Sequence, residues 1–429
     1  MNRSLAEFRR GWAVLAASSL GVAFGASPIP YNSLGPFTRP ITEEFGWGRG
    51  EFQLAILWFT IAVVLVVPIV GALADRFGVR RMAILTLTLF GLSFAALALT
   101  PASIAVFYAM WFVTGFAGGG STPVTWTRAI NGWFVDNRGL ALAITLLGTG
   151  ITAAFLPALT IWLIGHFGWR MAFVGISLLP LAIALPIAIA WFRDPPAHTA
   201  VTDGGVVAHR AESGVTLGAA VRNYRFWVLI ASILLVATGI GGTITNLVPL
   251  LEDRGFQALD AGKIAGAVGV SIMFGRVFAG FMMDRFWAPG VVFPMLILPA
   301  IACLLLMNHG IGAGAAVLAA VLVGFASGAE TDLVAYLSAR YFGLRHYGRI
   351  YGAQYAVFGF ASGIAPPLFG FVHDRTGSYD AILITAAAAF GVGAALLLTM
   401  GKYPEFATGS GLRAASHEQR TTSGGPEAR

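Results

Sequence analysis

Charge is what this chain has least of. Asp, Glu, Lys and Arg make up 11% of its 429 residues, while apolar residues make up 57%. A soluble domain carries about 25% charged residues, so most of this surface is suited to hydrocarbon. Cysteine is nearly missing. The single Cys303 lies within an apolar run, which excludes an internal disulfide and a cysteine-based zinc site. No Gly-x-x-x-x-Gly-Lys-Ser/Thr segment is present, so nucleotide-driven work through such a loop is excluded. Neither a metal-ligand cluster nor a nucleophile–base set falls inside the apolar runs, which argues against a membrane enzyme, and no cofactor is implied. Lysine is scarce against arginine, and alanine and glycine are abundant, the bias of a bacterial chain from a GC-rich genome. No cleavable leader pattern is evident: Arg3, Arg9 and Arg10 lead straight into a long apolar run, as in a first membrane helix.

Long apolar runs are what the chain has instead. Uncharged stretches occupy 11–38, 52–74, 82–127, 139–169, 171–192, 226–251, 286–329, 350–372 and 381–401. A spanning helix needs roughly 20 apolar residues, so 82–127 and 286–329 are each long enough for two. They break at Thr100-Pro101-Ala102-Ser103 and at Asn308-His309-Gly310. With 262–283, which spans despite Lys263 and Arg276, this predicts an all-α membrane protein of twelve transmembrane helices in two six-helix halves. The expected division is a first bundle at 1–192, a linker at 193–225, a second bundle at 226–402 and a disordered polar tail at 403–429. With the N-terminus placed inside, nineteen of the 27 Lys and Arg residues fall in cytoplasmic segments and six in outer ones. That bias sets both termini in the cytoplasm. It also accounts for the net charge of +7 as an insertion signal, with no nucleic-acid partner implied.

The halves repeat. Gly71-x-x-x-Asp75-Arg76-Phe77 returns as Gly280-x-x-x-Asp284-Arg285-Phe286, and Gly115-Phe116-Ala117 returns as Gly324-Phe325-Ala326, an offset of 209 in both cases. Parallel repeats of several apolar helices are one known transporter architecture, with the substrate site between the halves. The loop Gly71–Arg81, with Arg80 and Arg81, resembles the signature loop of the major facilitator superfamily. Phe45-Gly46-Trp47-Gly48-Arg49 after the first span, Trp133-Phe134 with Arg138-Gly139-Leu140-Ala141 between the fourth and fifth, and Arg276 within the eighth resemble its monocarboxylate and oxalate–formate branch. The resemblance covers roughly 8–402. It implies a secondary transporter of a small organic anion, a monocarboxylate, working by alternating access as a functional monomer in a bacterial inner membrane. It also implies gating by Gly71, Asp75, Arg76, Arg80, Arg81, Asp284 and Arg285; the bland alternative for that loop is a basic membrane anchor.

Arg276 is the sharpest single residue. It stands eight positions before Asp284, about 12 Å into the membrane. A mid-membrane arginine costs at least roughly 2.5–3.5 kcal/mol, so it should face a cavity or a partner. Its planar fork fits a carboxylate, and in the resembled branch this arginine holds the substrate carboxylate; the alternative is an ion pair with the tenth span. Animal-type proton-coupled relatives place an aspartate one turn earlier, where this chain has Ile272, so Glu330 or Asp332 is the candidate for coupling to protons. Two positions apart on a helix, they cannot both face one cavity.

Arg128 in the fourth span is a second anion contact, a gate ion pair or a snorkelling charge. Tyr31, Asn32, Asn246, Gln354 and Tyr355 are polar groups in apolar spans, able to donate to an anion or to a neighbouring backbone. Drug–proton antiporters carry an arginine where this chain has Trp111, and oxalate carriers pair the eighth-span arginine with an eleventh-span lysine absent here. A single cation fits a monoanion better than a small dianion, unless Arg128 serves. A transporter-like sensor is the other class in play, but the 33-residue joining loop at 193–225 leaves little room for a signalling domain.

Overall fold

The computed structural model describes residues 3–134, 137–194, 214–283, 285–343 and 346–404. Apart from one isolated bridge between Gly214 and Gly343, these residues form helices and their connections. Eleven helical stretches are long and apolar enough to cross a membrane. One of them, Gly139–Trp191, has 53 residues, about 80 Å of helix against a hydrocarbon core of about 30 Å. It is two spans folded at Gly168, whose φ of 78° and ψ of 163° belong to a region only glycine enters readily. The described residues therefore hold twelve candidate spans, the number the hydropathy predicts.

Span 1 is built from Arg3–Ala23 and Pro28–Phe45, span 2 is Arg49–Phe77, span 3 is Val79–Ala96, and span 4 is Ile104–Gly118 with Pro123–Trp133. Spans 5 and 6 run from Arg138 to Trp191, span 6 containing a π-helical turn at Leu179–Ala184. Spans 7 to 12 are Tyr224–Asp253, Ala258–Met283, Ala288–Leu306, Ala313–Phe342, Tyr347–Thr376 and Asp380–Leu398.

Proline sets the two internal breaks. Span 1 is interrupted just before Pro28 and span 4 just before Pro123, where a residue without N–H starts a helix at no cost. The breaks face each other: Ala26 N donates to Ser121 Oγ at 3.0 Å and Trp126 Nε1 to Ser121 O at 3.1 Å. Irregular backbone at membrane depth survives only when protein groups satisfy it in this way.

The buried apolar side chains form two separate cores, one running from Val14 to Phe192 and the other from Ala220 to Met400. The halves meet along span 5 against span 8, span 2 against span 11, and span 1 against span 7. Glycine permits the closest approaches. A Cβ at Gly269 would stand 2.1 Å from Ala154 N, and one at Gly370 would stand 2.6 Å from Gly50 N. This contact is uneven along the spans. Calling the end with most Lys and Arg the inner end, the tight contacts lie at the middle and outer end. On the face of span 2 that carries Thr60 and Val64 toward span 11, Gly71 at the inner end has nothing within 4 Å of its would-be Cβ, and neither does Gly352 across from it. Among the described residues, the halves are shut at the outer end and parted at the inner one.

Candidate functional site

Arg276 lies on the seam. Its Nη1 donates to Leu146 O of span 5 at 3.1 Å, and the residue is half-buried. The guanidinium therefore faces the opposite half and is turned away from lipid, where burying it would be most costly. Span 10 presses on span 8 from behind, a Cβ at Gly328 falling 2.7 Å from Arg276 N. Across the seam, Tyr31 and Thr60 share a hydrogen bond of 2.6 Å, and Asn32 Nδ2 donates to Pro28 O at 2.8 Å. Tyr31 and Asn32 line a cavity between spans 1, 5, 7 and 8, together with Pro157, Thr245 and Val268. Its volume, about 10 Å³, is roughly that of one water molecule. Tyr355 of span 11 is 43% exposed, and about two turns further along that helix Gly363 packs on Thr60, the hydrogen-bond partner of Tyr31. Tyr31, Asn32, Tyr355 and Arg276 thus border the interface between the halves.

Other sequence-predicted residues are placed elsewhere. Gln354 is fully buried and turned into the second half, its Oε1 accepting a hydrogen bond from Ser338 Oγ of span 10. Glu330 is 5% exposed and shares its helix face with Ala326, Val334 and Leu337 of the second core. It lies about 200° around the helix from Gly328, and its Oε1 has no hydrogen-bond partner among the described residues. The side chain of Asp332 is outside the described residues. Arg128 donates through Nη1 to Gly71 O at 3.4 Å, tying span 4 to the signature glycine, and borders a second small cavity with Val70, Thr122 and Thr125.

Of the predicted gating residues, Arg80 is engaged within the first half: its N donates to Asp194 Oδ1 at 2.8 Å and its Nη2 to Ile189 O at 2.6 Å. Arg81 is exposed. Arg76 lies over the ring of Phe77 and Arg285 over that of Phe281. Asp284 and the side chain of Asp75 lie outside the described residues.

The outer closure is a set of residues that the sequence reading did not assign. Arg49 of span 2 forks onto Asp253 of span 7, Nη1 to Oδ2 at 2.6 Å and Nη2 to Oδ1 at 2.8 Å. The N–H groups of Arg49 and Gly50, the first of span 2, donate to Asp374 of span 11 at 3.0 and 2.8 Å. A carboxylate at a helix N-terminus meets both unpaired donors and the positive end of the dipole. His373 Nε2 stands 3.2 Å from Asp253 Oδ2. Beneath this layer Asn246 Oδ1 accepts from Gln53 Nε2 at 2.8 Å and from Tyr379 OH at 3.1 Å, and its Nδ2 donates to Gly242 O at 3.0 Å. Burial pushes the Tyr379 phenol above its usual range, which keeps it a donor. Asn246, an expected anion contact, is held here in a cross-half clamp. A signal for this closure exists in the sequence: Gly370, Asp374 and Arg375 repeat the spacing of Gly71, Asp75 and Arg76.

A model of the Major Facilitator Superfamily matches residues 15–366. The chain belongs to that superfamily. Among curated relatives of this superfamily member, monocarboxylate transporter 13 of Bos taurus is 27% identical over 349 residues, covering 78% of this chain and 76% of the relative. A probable sulfoacetate transporter of Cupriavidus necator is 24% identical over 371 residues, covering 82% and 86%. Among solved structures, a bacterial homolog of the human lysosomal transporter Spinster, crystallised in an inward-facing and unoccupied conformation, superposes with a TM-score of 0.63 at 16% identity, covering 91% of this chain and 94% of that one.

Proposed function

We propose that this member of the superfamily carries a small organic anion, a monocarboxylate, across a bacterial inner membrane by alternating access, with both termini in the cytoplasm. Arg276 carries the reading. It is a cation at membrane depth, and its Nη1 reaches across the seam to the Leu146 carbonyl of the other half. A carboxylate is a stronger acceptor for the same fork. Tyr31, Asn32 and Tyr355 supply further donors around that seam, and Arg128 stands nearer the inner mouth. The names of the two curated relatives, one a monocarboxylate carrier and one assigned a small sulfonated carboxylate, support an anionic substrate. Glu330 is the residue on which proton coupling is to be tested, being a buried carboxyl with an unsatisfied oxygen.

The test is uptake of labelled carboxylates into proteoliposomes, with and without a pH gradient, by the parent chain, Arg276→Lys and Glu330→Gln. Lysine keeps the charge and loses the fork, so affinity should fall about ten- to a hundredfold, the worth of a charge-assisted hydrogen bond. An unaltered substrate profile and affinity in Arg276→Lys would overturn direct carboxylate binding. Glu330→Gln is expected to remove the stimulation by the gradient while leaving exchange intact.

A further inference from the structure

Four aromatic rings climb one side of span 11: Tyr347, Tyr351, Tyr355 and Phe358, at steps of four, four and three residues. Successive centroids are 5.4, 5.7 and 5.6 Å apart, with interplanar angles of 3°, 37° and 26°. Steps of this size keep side chains on one helix face. That face can be placed. On one flank of it, Gly359 meets Val64 and Gly363 meets Thr60, both of span 2. On the other flank, Gln354 meets Ser338 of span 10. The ladder occupies the arc between: Tyr351 and Phe358 pack partly against the second core, and Tyr355, 43% exposed, is the ring that stands open on this arc. The lipid-facing side of span 11, with Phe360, lies beyond the flank that meets span 2. The ladder runs from the inner mouth at Tyr347 to the neighbourhood of Tyr31 at the seam.

We propose that this ladder binds the body of the substrate, and that the substrate is an arene carboxylate, an anion with an aromatic ring next to its carboxyl group. The inference rests on the anion-carrier reading of Arg276 and adds the class of anion. A ring of the ladder can meet a substrate ring in an offset-stacked or an edge-to-face contact. A ring edge is the positive part of the aromatic quadrupole. It attracts the face of a substrate ring in a T-shaped contact, and it does not repel the carboxylate on the way to Arg276. A short aliphatic acid offers no such face and gains nothing from the ladder. The Tyr355 hydroxyl makes no hydrogen bond among the described residues, so it is available to a ligand at the inner end of the site.

The experiment measures uptake and equilibrium binding of labelled benzoate and propionate by the purified protein in proteoliposomes, for the parent chain, Tyr355→Phe and Tyr355→Leu. The expected result is preference for benzoate by at least about tenfold. Tyr355→Leu removes the hydroxyl from both acids but the ring contact from benzoate alone, so it should weaken benzoate about three- to tenfold more than propionate, the range of a lost aromatic pair. Tyr355→Phe should retain most of the benzoate affinity, which separates loss of the ring from misfolding. Equal handling of the two acids, or an equal effect of Tyr355→Leu on both, overturns the arene assignment while leaving the anion carrier standing. Binding of neither acid, with a parent chain that transports a neutral solute instead, overturns both.

Discussion

A guanidinium deep in a membrane is tolerated only where something answers it, and Leu146 O across the seam is one of the groups that answer Arg276. The same logic made Arg276 legible in the sequence: a cation inside an apolar run is expensive wherever the fold puts it, so it must mark an interface or a cavity. Arg49 was not legible in that way. It stands at a span end among other charges, where arginine is ordinary, and its partner Asp253 is 204 residues away. Asn246 and Gln354 were legible as polar groups that need partners, but composition cannot say whether the partner is ligand or protein. Residue-scale packing gives a direct check. A methyl at Gly269 would lie 2.1 Å from Ala154 N, and backbone cannot yield as a side-chain tip can; a methyl at Gly352 meets nothing within 4 Å. Gly269→Ala should therefore destabilise the protein by about 1–3 kcal/mol, the usual cost of overpacking, while Gly352→Ala should be near neutral. Thermal unfolding of the two variants in one detergent compares them, and equal midpoints would refute the close span 5 to span 8 contact.

Elements of this fold act on one another through their ends. Span 2 starts on the carboxylate of Asp374, which belongs to span 11 of the other half, so a helix cap here doubles as a bolt between bundles. Capping side chains are worth about 0.5–2 kcal/mol. Asp374→Ala should shift the equilibrium away from outer closure by about that amount, a two- to thirtyfold change. The readout is labelling of a cysteine introduced at Val248, a buried residue bordering the central cavity, by an impermeant maleimide from the outer side. The native thiol, Cys303, is fully buried and adds little background. Unchanged labelling would show that the cap does not hold the gate. The span boundaries that frame this bolt were readable from hydropathy and breakers, including the turn near Gly168. The bolt was not, although Gly370-x-x-x-Asp374-Arg375 carries the motif spacing, because a short motif does not reveal which helix end it will meet. The π-helical turn at Leu179–Ala184 left no periodic signal either, since one extra residue per turn over six residues is lost among uniformly apolar side chains.

At the scale of the whole molecule, the repeat at an offset of 209 and the apolar runs were enough to anticipate two halves and twelve crossings. The conformation was not anticipated, because one sequence has to encode more than one state. Outer closure uses Gly50 and Gly370 in near contact, whereas Gly71 and Gly352 lie on the matching faces at the inner end with open space before them. If the halves rock, these inner glycines are the surfaces that meet when the outer end opens, and a side chain there is harmless now and obstructive then. Gly71→Ala should accordingly favour the present state, with Val248→Cys labelling from the outer side slower than in the parent and uptake reduced. Its sign is opposite to that of Asp374→Ala. A population is set by the difference in free energy between states, and distant sites combine additively to within about 0.5 kcal/mol. The double variant Gly71→Ala, Asp374→Ala should then label at a rate between the two singles, displaced from the parent by the sum of their separate shifts. A double variant that behaves like either single alone would mean that the two ends of the seam do not report on one rocking equilibrium.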